Sequence, residues 1–157
     1  MPPAPAAAKS DSALQLSSPP RALMATHVLR LLPGDDLVLS LCAFARERSM
    51  RAACVLSCVG STGKTTLRPA GARAPRVFEQ SPFEIVSLVG TLGADGHHLH
   101  LSIADEECVV RGGHALEGCI VRTTAEVVLG EILGVEFHRR QDERTGYDEL
   151  FISSRPE

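Results

Sequence analysis

The chain has no tryptophan, one tyrosine and five phenylalanines. Few rings are available for stacking against bases, which counts against recognition of single-stranded nucleic acid. It also has no excess of positive charge: 16 Lys and Arg stand against 19 Asp and Glu, a formal net charge of −3. A protein that grips DNA chiefly through its phosphates carries a basic footprint instead. No apolar run approaches the ~20 residues of a membrane-spanning helix, so no membrane partner is expected. The first residues lack the apolar centre of a secretion signal, and they lack arginines at the amphipathic spacing of an organelle import segment. No Cys-x-x-Cys occurs among Cys42, Cys54, Cys58, Cys108 and Cys119. Their odd count, and the apolar settings of four of them, indicate buried reduced thiols in an intracellular protein. Cytoplasm or nucleus is the expected location, with an organelle left open. On a strand, Cys54 and Cys58 would lie about 13 Å apart, too far to share an ion.

What is present fits one domain with tails. The chain has 157 residues, of which 44% are apolar, and this is enough for a substantial core. Residues 1–24 form a Pro/Ala/Ser-rich tail that cannot bury enough apolar surface to offset its ordering entropy, and disorder is expected there. The folded domain is expected over 25–153, with 154–157 as a short C-terminal tail. Thr26 to Leu32 reads as a strand stopped by Pro33-Gly34. Asp35-Asp36 then opens a helix, since an aspartate there can cap free N–H groups. Leu37, Leu41 and Phe44 recur at helical spacing, Val38 and Ala45 widen the apolar face, and Arg46, Glu47 and Arg48 end it. Strands are expected at 52–59, 65–67, 76–79, 83–92, 98–103, 108–111, 120–121, 125–132, 135–138 and 150–152. Many short strands, punctuated by Gly and Pro, with one principal early helix define an α+β fold dominated by mostly antiparallel β-sheet.

Val59-Gly60-Ser61-Thr62-Gly63-Lys64-Thr65-Thr66 resembles half of a phosphate-binding loop. The glycine that should precede Gly63 by five positions is Cys58, and Pro69 and Gly71 forbid the helix that must follow. A glycine-rich turn between two strands is expected instead. Arg46, Arg48 and Arg51 form one basic group and Arg139, Arg140 and Arg144 another, both expected on solvated surface.

The histidines carry more information. Four of six fall between positions 97 and 114. His98 and His100 are two apart, so on a strand they share a face. His114 follows Gly112-Gly113, expected as a turn that returns it beside them. Three neutral imidazoles on a rigid sheet suit Zn or another divalent transition metal, and leave a fourth position open as in catalytic zinc sites. His97 should face the other way, into solvent. Ser102 should share the face of His98 and His100, but no G-x-S-x-G marks it as a nucleophile, and a metal-bound water would serve better. Asp105 is expected in a turn, with a possible role in orienting an imidazole. Glu84 and Glu117 are candidate bases by nearness in sequence alone.

Several of these pieces, in order, resemble the PPC domain, the plant and prokaryote domain of AT-hook nuclear-localised proteins and of small stand-alone microbial proteins. The resemblance runs from about His27 to Ile152. It includes Pro33-Gly34-Asp35-Asp36 before the helix, Val59-Gly60-Ser61, Leu67-Arg68, and Phe83-Glu84-Ile85-Val86-Ser87-Leu88-Val89-Gly90. It continues through His98-Leu99-His100-Leu101-Ser102, Asp105, Gly112-Gly113-His114 and Glu117-Gly118. The last group is similar to the stand-alone microbial type. The resemblance implies a homotrimer and a metal cluster at His98, His100 and His114. It also implies a DNA association, which in the plant proteins rests on an Arg-Gly-Arg-Pro hook that reads the narrow minor groove of A·T-rich DNA. This chain has no such hook. The expected function is thus that of a homotrimeric binding or assembly module with a three-histidine metal site. The alternative is a small metal-dependent hydrolase or lyase using the open metal position.

Overall fold

The computed structural model describes residues 23–155. The expected Pro/Ala/Ser-rich tail lies, for residues 1–22, outside the described residues, as do residues 156 and 157 of the expected C-terminal tail. Nine strands and one helix follow in the order β1(Met24–Leu31), α1(Leu37–Glu47), β2(Ala52–Arg68), β3(Arg76–Phe78), β4(Phe83–Gly93), β5(Gly96–Ala104), β6(Val110–Ala115), β7(Ile120–Ile132), β8(Val135–Asp142) and β9(Tyr147–Ser154). The mostly antiparallel α+β class is as the sequence indicated.

The helix forms where its signals stand. Asp36 is the N-cap, its Oδ1 accepting from the backbone N–H of Val38 at 3.0 Å and of Leu39 at 3.1 Å. Its second oxygen accepts from Gly118 N–H at 2.6 Å, tying the helix start to the segment before β7. Leu37, Val38 and Leu41 are fully buried. Phe44 is only partly buried and sets its edge against the His27 ring, with centroids 5.8 Å apart.

Seven strands form one sheet in the order β1-β7-β2-β4-β5-β6, with β3 paired to β2. β2 is long enough to pair with β7 and β4 and, at its far end, with β6 through Leu67–Ala115 and Arg68–His114. The sheet β2-β4-β5-β6 therefore closes on itself. Closure leaves an inner face that takes Leu99, Leu101 and Ile103 of β5 with Leu88 and Leu92 of β4, all nearly inaccessible to solvent. These residues alternate with outward ones, as the period of two requires.

Three expectations need correction. The glycine-rich segment after Val59 is not a turn: it lies inside β2, where register shifts at Gly60/Thr62 and Thr62/Lys64 absorb its irregularity. Its hydroxyls are satisfied within the sheet, Thr62 and Thr65 sharing a buried 2.6 Å hydrogen bond. Gly112-Gly113 is likewise not a turn but part of β6. The turn comes earlier, where Asp105 accepts from Glu107 and Val109 N–H and pairs with Arg111. The cysteines are not uniformly buried: Cys58 and Cys119 are, Cys42 and Cys54 are half-buried, and Cys108 is exposed, all five free.

β8 and β9 form a separate hairpin. Val135 and Phe137 pack with Ala52, Ile132, Leu150 and Ile152 in a small second cluster. The hairpin is pinned where Phe137 N–H donates to Arg51 O and Phe137 O accepts from Ala94 N–H, each at 3.0 Å. Gly93 makes this approach possible, since a Cβ there would stand 2.4 Å from Phe137 O.

Candidate metal centre

β5 presents His98 and His100 on its outward face, and β6 pairs His114 directly with His100. Directly opposed residues of an antiparallel pair project to the same side. The three rings gather with centroids 4.9, 5.0 and 5.8 Å apart. One ligand nitrogen from each lies within 4.8 Å of the others. The Nε2 atoms of His98 and His100 are 3.1 Å apart, close to the edge of about 3.3 Å expected for two nitrogens on a tetrahedral zinc ion. The donor set therefore fits a borderline divalent ion. The glycines beside His114 serve close packing: a Cβ on Gly113 would meet Arg68 O at 2.9 Å and one on Gly112 would meet Ser102 Oγ at 2.9 Å.

Two of the imidazoles, those of His98 and His114, are biased toward the neutral form, which binds metal. Partial burial lowers the His98 pKa first, and the charges of His100 and Arg139 lower it further. His114 is pushed down to about 4, chiefly by burial and then by Arg68.

Above the rings lies an open cavity of about 1140 Å³, shared by the three histidines, the loop after β2 and the β8–β9 hairpin. Arg68, Arg139 and Glu149 all reach its lining. Arg139 is half-buried and donates to Thr91 Oγ1 at 2.8 Å. Asp95, at the β4–β5 turn, is held by His138 Nδ1 at 2.7 Å.

Of the residues singled out from sequence, His98, His100 and His114 come together. Ser102 is on their face, opposite Gly112. Asp105 serves its turn and does not line the cavity; the same holds for Glu84 and Glu117. His97 does face away from the cluster, but it is not free in solvent. It is half-buried, its Nδ1 3.2 Å from Cys42 Sγ beneath α1, and burial lowers its pKa. The basic groups divide: Arg51 pairs with Glu136 at 3.1 Å and Arg144 with Asp142, whereas Arg139 turns into the cavity. Arg139 and Glu149 were not singled out as site residues. No local signal marks them, because the hairpin that carries them meets the sheet only through tertiary packing.

The fold and site define a class: a small α+β domain with a closed antiparallel sheet and an outward three-imidazole cluster. Within that class the chain belongs to the Plants and Prokaryotes Conserved (PCC) domain family, the PPC domain, whose family model matches residues 20–133. A bifunctional protein GlmU of Synechococcus sp. (strain JA-3-3Ab) is 44% identical over 133 residues, 85% of this chain and 21% of the relative. The chain thus spans about a fifth of the length of that curated relative. A hypothetical protein from Salmonella, solved at 1.55 Å, is 43% identical and superposes with a TM-score of 0.84, covering 87% of this chain and 98% of that one. A metal-containing protein from Archaeoglobus fulgidus shares the fold at 24% identity, with a TM-score of 0.71 over 81% of this chain and 93% of that one. No helix among the described residues is long and apolar enough to cross a membrane.

Proposed function

We propose that this chain is a homotrimeric binding or assembly module that holds Zn or another divalent transition metal at His98, His100 and His114. One observation carries the metal reading: ligand nitrogens from two paired strands converge within 4.8 Å. The fold-mate described as metal-containing adds support. Self-association is supported by an outward sheet face with exposed Val28, Leu56, Val59, Val86 and Val89. Exposed apolar side chains on neighbouring strands favour a protein contact, and one of them, Val89, is the direct β4 partner of His100. Direct DNA binding has less behind it, because Arg51 and Arg144 of the two basic groups are paired with acids and Arg139 faces the cavity.

The test is elemental analysis of protein purified without chelator or metal-affinity resin, with mass measured by sedimentation. A trimer with one transition-metal ion per chain, the metal lost in His100→Ala, is the expected result. A metal-free wild-type trimer overturns the metal reading, and a monomer overturns the assembly.

A further inference from the structure

Three neutral imidazoles bring no negative charge to a divalent cation. In most proteins carboxylates or thiolates near the ion offset that charge, but the carboxylates that line this cavity are matched by guanidiniums. Arg68 stands next to His114 in the β2–β6 pairing and lines the cavity from one side. Arg139 reaches in from the hairpin on the other. Arg51, Arg111 and Arg144 each have a carboxylate partner, and Arg140 lies over the Phe151 ring. Among the described residues Arg68 makes no ion pair or side-chain hydrogen bond, and Arg139 donates only to the neutral Thr91 hydroxyl. Arg68 is exposed and Arg139 half-buried, and a guanidinium with N–H groups to spare is the group best shaped to take two oxygens of an oxyanion.

The charge balance agrees. Arg68, Arg73 and Arg139 line the cavity with Asp95, Asp148 and Glu149, so the side chains cancel and the charge of a divalent ion is left over. The open space of about 1140 Å³ is somewhat larger than a usual small-molecule site and takes more than a water.

Resting on the metal reading above, we propose that the cavity binds a small anionic ligand, a carboxylate or a phosphate. One of its oxygens would meet the metal that the three histidines hold, and its remaining oxygens would be held by Arg68 and Arg139. Arg139 is a ligand-binding residue that also fixes orientation, since Thr91 already holds its guanidinium in place. Glu149, half-buried beside His98 and Arg139, also lines the cavity.

Calorimetric titration of the zinc-loaded protein with inorganic phosphate, and separately with succinate, tests this. Zinc content is measured in every sample. Saturable binding of at least one probe is expected, and the stronger of the two identifies the ligand as phosphate or carboxylate. Arg68→Gln and Arg139→Gln should each weaken it about tenfold while retaining zinc, as loss of a charge-assisted hydrogen-bond pair implies. Arg139→Lys, which keeps the charge but not the fork, should fall between. Zinc-loaded protein that binds neither probe, or arginine variants that bind as the wild type does, overturns the proposal with the metal reading intact. Failure of the protein to take up zinc overturns both, since the anion is proposed on the metal.

Discussion

Gly90 lies on β4 opposite Leu99 of β5, at φ +139°. A Cβ placed there would stand 2.0 Å from His98 O and 2.9 Å from Leu99 Cα. Both are backbone atoms, so no side-chain rotation relieves the contact. Gly90→Ala must either push β5 away from β4 by more than about 1 Å or abandon the φ that only glycine adopts readily. The strained backbone costs about 1–3 kcal/mol, and two disrupted ladder hydrogen bonds cost about 1 kcal/mol each. A loss of about 3–5 kcal/mol is expected, a large part of the stability of an ordinary domain. The displaced carbonyl is that of His98, so zinc affinity should fall with stability. Urea denaturation of metal-free protein and a zinc titration read the two effects. Gly60 provides the contrast: its Cβ would meet Thr124 O at 2.1 Å on the opposite seam, against β7. Gly60→Ala should destabilise comparably but leave the zinc affinity of the folded fraction unchanged. Gly63→Ala, whose nearest neighbour is Arg122 Cβ at 3.9 Å, should lie within about 0.5 kcal/mol of wild type. A Gly90→Ala protein as stable as Gly63→Ala, with wild-type zinc affinity, would refute the claim that this close backbone approach positions the site.

Asp36→Ala removes the helix cap and leaves Gly118 N–H without its acceptor; about 2–4 kcal/mol should be lost in chemical denaturation, with Asp36→Asn keeping the cap and losing less. For His114 the folded pKa of about 4 lies below its ordinary 6.5, so below pH 6.5 the unfolded chain binds a proton that the folded chain refuses. Its contribution to stability is thus complete above pH 6.5 and declines as pH falls toward 4; the melting temperature of chelator-treated protein should show a shallower acid decline in His114→Asn, and identical slopes would disprove it. Alkylation followed by peptide mass analysis should modify exposed Cys108 first and Cys58 and Cys119 last, because burial hides both thiols and raises their pKa to about 11.

Features governed by near neighbours were legible in the chain. The Pro33-Gly34 stop, the Asp36 cap and the 3.6-residue spacing of Leu37 and Leu41 depend on interactions within one or two turns, and the helix appears where they stand. The His-x-His spacing similarly determines that His98 and His100 share a face of any strand. Tertiary structure decided the rest. That His114 meets them depends on β5–β6 register, and Gly112-Gly113 acts there by admitting close backbones rather than by turning the chain. That the segment after Val59 is strand rather than turn follows from pairing partners on both sides, β7 and β4, that no local propensity encodes. His97 finds Cys42 55 positions away, and Arg139 lines the histidines' cavity because Gly93 lets Phe137 dock. Backbone preference and side-chain periodicity act over a few residues. Sheet closure, hairpin docking and the charge of a cavity arise from contacts far apart in sequence, whose energies exist only once the chain has folded around them.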